Sequence, residues 1–158
     1  MTTTLNQIRS HRPCQDGWAK LLKYLNKTSA DDQPLSLLTV LTSNGLDDAI
    51  WCLRTEPAPE RIQRFALAVA RRTQHLHPQA EAVLDIVERY LSGQATKAEL
   101  GAAGYTACAG YAASAYAASA ASAHADSAAD YAALAAADAA LDEAEREAQS
   151  QIFKEIFA

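Results

Sequence analysis

Past Gly110 the chain contains no glycine and no proline, and residues 101–125 contain no Asp, Glu, Lys or Arg and no Leu, Ile, Val, Phe or Met. The first absence excludes a loop-rich or disordered tail. About half of residues 105–145 are alanine, the strongest helix former, and nothing there breaks a helix. The second absence cuts two ways. A 25-residue window without formal charge is long enough to span a bilayer, but Leu-class side chains drive insertion and none is present. Ser, Gly and Tyr occupy their places, so a soluble helix is expected there rather than a membrane span. Cysteines are few: Cys14, Cys52 and Cys108 are odd in number and far apart, which argues against a disulfide framework. The opening "MTTTLNQIRSHRP" has no apolar run after its basic residues, so no signal peptide is expected and the reducing cytoplasm is the expected compartment.

Motifs of chemistry are missing too. There is no phosphate-binding loop, no GxSxG and no HExxH. "GAAG" before "YTACAG" resembles a dinucleotide fingerprint only superficially, since no strand precedes it. His11 and Cys14 with His75 and His77 could be assembled into a zinc site, but these spacings are loose and packing or capping roles account for them better. A Cys52–His75 nucleophile pair has no motif behind it. Asp47 and Asp48 are read as first-turn partners of a helix dipole rather than as catalytic carboxylates. No enzyme activity, metal or cofactor is expected.

What is present is helical. "DGWAKLLKYLNK" places Trp18, Leu21, Leu22 and Leu25 on one face. "DDQPLSLLTVLTSNG" predicts a helix begun by Asp31 or Asp32 and stopped at Asn44-Gly45, with a strand as the alternative because "LLTVLT" is β-prone. "GLDDAIWCLR" brings Asp47, Trp51 and Arg54 onto a shared face, with Ile50 and Leu53 turned inward. These three with Asp48 are a candidate ligand pocket. A helix from about Pro59 buries Ile62, Phe65, Ala66, Val69 and Ala70. The next opens at Pro78 and closes at Gly93, and Thr96 to Glu99 form a capping box for the alanine-rich element. The expected fold is all-α and a single domain over residues 1–158. Core helices occupy 14–93, with the core between Trp18 and Leu91, and a long alanine-rich helix or helical hairpin over 96–157 packs on them. Unbroken, residues 111 to about 156 would make a rod of about 70 Å. Ser122, Asp126 or Ser127 is the expected interruption.

That element carries two patterns. Gly101, Gly104, Cys108, Tyr111, Ala115, Ala118, Ser122, Ala125, Ala129, Ala132, Ala136 and Ala139 form a seam of small residues that lets another helix approach closely. At a spacing of four, Ser114, Ser122, Asp126, Asp130, Asp138 and Asp142 draw a polar stripe that becomes acidic. Residues 1–100 carry a net charge of +1 and residues 101–158 a net of −6. This acidic C-terminal element disfavours nucleic acid and suits a basic protein partner. Rigid aromatics beside small and acidic residues are what a protein-binding surface uses. The candidate partner-binding residues are therefore Tyr105, Tyr111, Tyr116, Asp126, Asp130, Tyr131, Asp138 and Asp142. The competing reading packs the tyrosines on the core and leaves the aspartates to solubilise the helix.

Three stretches in order, "CQDGWAKLLKYLNKTSADDQPLSLLTVLTSNGLDDAIWCLR", "RFALAVARRTQHLHPQAEAVLDIVERYLSGQATKAEL" and the alanine-rich tail, resemble an alanine-rich family described as immunity proteins of bacterial polymorphic toxin systems, found also in prophages. The resemblance covers roughly residues 14 to 150, and "NGLDDAIWCLR" and "GQATKAEL" are its most specific elements. The family studs its tail with aromatics, often tryptophan, where this chain has Tyr105, Tyr111, Tyr116 and Tyr131. The resemblance implies a small cytoplasmic helical protein that neutralises a bacterial toxin or defence effector by direct contact, without catalysis. Two further readings stand beside it. One is a phage or mobile-element anti-defence protein that binds a host defence protein or sequesters a signalling nucleotide. The other is an oligomerisation module pairing two copies through the small-residue seam.

Overall fold

The computed structural model describes residues 2–57, 59–73, 78–107, 112–122, 125–140 and 142–158, and for residues 73, 78–79, 105–107, 112–115, 122 and 125–127 the backbone alone. Ten α-helices are present among them, and the fold is all-α. A two-residue bridge pairs β1 (Thr2–Thr3) antiparallel with β2 (Leu35–Ser36). The helices are α1 (Leu5–Ser10), α2 (Gln15–Tyr24), α3 (Leu37–Asn44), α4 (Leu46–Trp51), α5 (Pro59–Thr73), α6 (Pro78–Leu91), α7 (Lys97–Ala107), α8 (Ala112–Ser122), α9 (Ala125–Asp138) and α10 (Glu143–Phe157). A 3-10 turn over Cys52–Thr55 continues from α4.

Local chemistry sets most boundaries. Thr4, Cys14, Ser36 and Asp142 cap α1, α2, α3 and α10, each accepting a bond from a backbone N–H of the first turn. Thr96 and Glu99 form the reciprocal capping box: Thr96 N–H donates to Glu99 Oε2 at 2.7 Å and Glu99 N–H to Thr96 Oγ1 at 3.2 Å. Gly45, at φ +101°, permits the abrupt step from α3 into α4 that a side chain would strain. The "LLTVLT" segment is helical, but its start differs from expectation. Ser36 caps it, while Asp31 accepts from Lys27 Nζ at 2.6 Å and from the Gln33 N–H at 3.3 Å in the preceding turn.

At the centre lies α5, packed against α6, α8, α9 and α10. Its stripe of Ile62, Phe65, Ala66, Val69 and Ala70 is buried, as its period requires. The expected core, however, was too narrow. Leu5 and Ile8 of α1 and Phe153 and Phe157 of α10 are buried in the same cluster, and so are Ala117, Ala120, Ala128, Ala129, Ala132, Ala136 and Ala139. The alanine-rich element is thus part of the core. Nor is it one rod. Helices α8 and α9 pack on each other, α7 packs on α8, and a further boundary falls between Asp138 and Glu143, where Asp142 Oδ1 accepts the Glu145 N–H at 2.8 Å. Alanine methyls gain little by burial individually, so the segment gains most when several helices close around α5 at short separation.

All three phenylalanines of the chain meet in one cluster. Phe65 lies edge-on to Phe153 at 5.6 Å, and Phe153 and Phe157 are tilted at 4.6 Å. Behind them Gln149 is fully buried, donating to the Ala136 carbonyl at 3.0 Å and accepting from Arg146 at 2.9 Å. That carbonyl belongs to the last turn of α9, which has no partner within its own helix. The side chain therefore closes one helix end from another.

A larger residue in the alanine seam must therefore destabilise the fold. Replacing Ala132, which is fully buried, by Leu is expected to cost about 1–3 kcal/mol, a fall of roughly 3–10 °C in Tm for a chain of this size. Ala137→Leu, on the exposed side of α9, should leave the Tm unchanged. Thermal melts followed by circular dichroism compare the two.

Candidate functional site

Two features stand out against the rest of the surface. The first is a cavity of about 90 Å³ bordered by α1, α2, α3, α4 and the 3-10 turn. Ile8, Trp18, Leu21 and Val40 supply apolar wall, Trp51 and Cys52 close one side, and Cys14, Gly17, Asn44 and Asp48 line the rest with Pro13. Asn44 organises the polar edge. Its Nδ2 donates to the Gly17 carbonyl at 2.8 Å and to Asp48 Oδ2 at 2.7 Å, while its Oδ1 accepts from Ser43 Oγ at 2.7 Å. Gly17 is needed for this approach. A Cβ there would lie 2.7 Å from Asp48 Oδ2 and 3.0 Å from Cys14 Sγ, distances at which one of them must move. Cys52 sits against the same cavity, and burial first, then the nearby Asp48 charge, push its thiol up to about 12.

Of the four residues expected to form a ligand pocket, Asp48 and Trp51 line this cavity and the other two do not. Arg54 lies over the Trp51 ring at 4.2 Å and donates through Nε to the Trp51 carbonyl at 2.8 Å. Its Nη2 then reaches Asp130 of α9 at 2.9 Å. Asp47 is turned to solvent and paired with Arg146 of α10. Trp51 and Arg54 are therefore brought together, as their shared helical face predicts, while Asp47 serves a different neighbour. The cavity lining holds no arginine or lysine, so it gives a nucleotide phosphate nothing to pair with.

The second feature is the outer face of α9. Asp130, Leu134, Ala137 and Asp138 are exposed, and Leu134 retains 45% of its accessible surface. Few large hydrophobic side chains are so open: among the described residues only Tyr24 exceeds it. Of the candidate partner-binding residues, Tyr131 is half-buried against the core and Tyr116 is half-buried, so neither stands free as a knob. Asp138 is exposed, Asp142 is the α10 cap, and Asp130 is already engaged by Arg54. Tyr111 and the side chains of Tyr105 and Asp126 lie outside the described residues. The inward side of α9 is the small-residue seam, with Ala129, Ala132 and Ala136 buried within the molecule and Ala139 buried just past its end.

Sequence reasoning missed Leu134, Gly17, Trp18 and Asn44 as site residues and weighed Cys14 only as a zinc ligand. Leu134 had a readable signal: it is the lone large aliphatic between residues 101 and 140, spaced four from both Asp130 and Asp138. Asn44 reads as a stop signal, and only the folded chain shows what it joins. His11 and Cys14 belong to the loosely spaced zinc alternative, whose His75 and His77 lie outside the described residues. No group of His, Cys, Asp and Glu among the described residues is arranged to hold a metal ion, and no described helix is long and apolar enough to cross a membrane.

The thiol of Cys52 yields a prediction in two parts. At pH 8 its thiolate fraction is lowered by orders of magnitude, so iodoacetamide should alkylate exposed Cys14 roughly a hundredfold or more faster, as read by peptide mass mapping. A raised pKa keeps the folded thiol protonated where the unfolded thiol ionises. Its contribution is therefore intact below about pH 9 and is lost as pH rises towards 12. Cys52→Ala should flatten that decline by about 1 kcal/mol between pH 8 and pH 10 in urea melts. An equal slope in both proteins would refute the burial account. Comparison with protein-family models, curated proteins and solved structures returned no match for this chain.

Proposed function

We propose that the protein is a non-enzymatic binding inhibitor, an immunity-type protein that neutralises a bacterial toxin or defence effector through the outer face of α9. The observation that carries this reading is Leu134, an exposed leucine set between Asp130 and Asp138 on a helix whose other face is locked in the core. An exposed apolar side chain flanked by a carboxylate one turn away on either side is the arrangement of an interface anchor with a polar rim. The net charge of −6 over residues 101–158 favours a partner with a basic surface and speeds their encounter. The resemblance to alanine-rich immunity proteins supports the same class of activity, with a partner that differs as the tail's aromatics differ.

The reading places the contact at α9 rather than on the tyrosines, which are half-buried where their side chains are described. Because Leu134 points to solvent, its replacement separates binding from folding. Leu134→Lys should leave the melting temperature within a degree or two of the parent. It should also weaken, by roughly 10- to 100-fold, the complex with a toxin or effector that the parent protein protects against, with loss of protection on co-expression. Asp138→Lys should slow association and reduce its dependence on salt. Full protection by Leu134→Lys at normal expression would remove α9 as the binding face.

A further inference from the structure

We propose that the cavity between α1, α2, α3 and α4 is a binding site for a small alkylammonium ion, with Asp48 as its counter-ion and Trp18 and Trp51 as its aromatic walls. Nothing in the α9 reading requires this site, and the two stand or fall separately.

The lining is apolar except at one edge, and Asp48 is the only charged side chain in it. Asn44 fixes Asp48 by bonding Oδ2, and the missing side chain at Gly17 lets the carboxylate settle against α2. Oδ1 takes no hydrogen bond from the described residues, so it is available to a ligand. Around it stand Ile8, Leu21 and Val40, two indole rings, and the thiol of Cys52, which stays neutral in its burial. A neutral apolar guest would take water from the carboxylate and return nothing, and an anion would be repelled. A cation with a short hydrocarbon body offsets the desolvated charge, and Trp18 attracts it further, whereas Trp51 already carries Arg54 over its ring. Lys20 does not fill that role. Its Nζ donates to the Asn44 main-chain carbonyl at 3.3 Å and is not part of the lining. Size sets the guest: a cavity of about 150 Å³ holds benzene, so this smaller one suits roughly three to five carbons.

Trp18 and Trp51 are the only tryptophans of the chain, so its whole indole emission reports on this cavity. Titration with n-butylammonium chloride at constant ionic strength should give a saturable change with a midpoint near or below about 10 mM. The isosteric n-butanol should bind at least tenfold more weakly, as should butylammonium to Asp48→Asn. Equal midpoints for the alcohol and the ammonium ion, or no saturation by about 100 mM, overturn the proposal, and neither comparison needs a variant to fold. Trp18→Leu keeps Trp51 as reporter and should weaken butylammonium severalfold. N-acetyl-lysinamide distinguishes two sources of the same chemistry. A midpoint at or below that of butylammonium points to a lysine side chain of a protein, and a weaker one to a free amine.

Discussion

The close approach of alanine-lined helices to α5 is the contact on which the remaining structure depends. Helix α5 offers a stripe of large and small side chains, Ile62, Phe65, Ala66, Val69 and Ala70, and α8 and α9 meet it with methyl groups. Small residues give little hydrophobic stabilisation each, but they let backbones come near and leave no gap for water. Such a core tolerates deletion poorly and enlargement worse, since no neighbour can swing aside. Bulk is supplied where the alanines stop. The Phe65, Phe153 and Phe157 cluster clamps α10 across the same central helix.

Ion pairs then fix how the outer elements sit on that core. Arg71 joins α5 to Asp85 and Glu88 of α6, and Arg72 joins it to Glu145 of α10. Arg146 links Asp47 of α4 with the buried Gln149, which in turn holds the end of α9. Exposed pairs of this kind contribute little stability singly. Their effect is orientation, because each joins helices that the alanine packing alone would let slide.

How much of this was legible follows from range. Several features set by neighbours within a turn or two could be read: the α5 stripe, the α6 ends, the Thr96–Glu99 box, the Asn44-Gly45 stop; the equally local Asp142 cap that begins α10 was not. Where a second signal lay close, reading failed. Asp31 and Asp32 look like helix starters as much as Ser36 does, and which one wins depends on Lys27 and on the bridge to Thr2–Thr3. Contacts across long separations left no trace. Nothing in "LDEAEREAQSQIFKEIF" says that Phe153 will meet Phe65, and nothing in a stripe of aspartates says that Asp130 will be taken by Arg54. Periodicity reports which residues share a face, but not what the face meets.

That last pairing constrains how the α9 face can act. The Arg54 guanidinium is largely buried, stacked on Trp51 and held by the Trp51 carbonyl, whereas Asp130 is mostly open to water. A partner that drew Asp130 away would strand a partly buried cation, which is far more costly than losing an exposed carboxylate contact. Binding at α9 must therefore accept the Arg54–Asp130 pair as a fixed piece of surface. Leu134 is then the apolar feature a partner can cover, and Asp138 one turn on adds acidic charge to a face whose other described residues are small or acidic. A partner is then selected by a shallow apolar recess beside a single basic group, and a surface so plain gains its specificity from the rigidity of the helix that presents it.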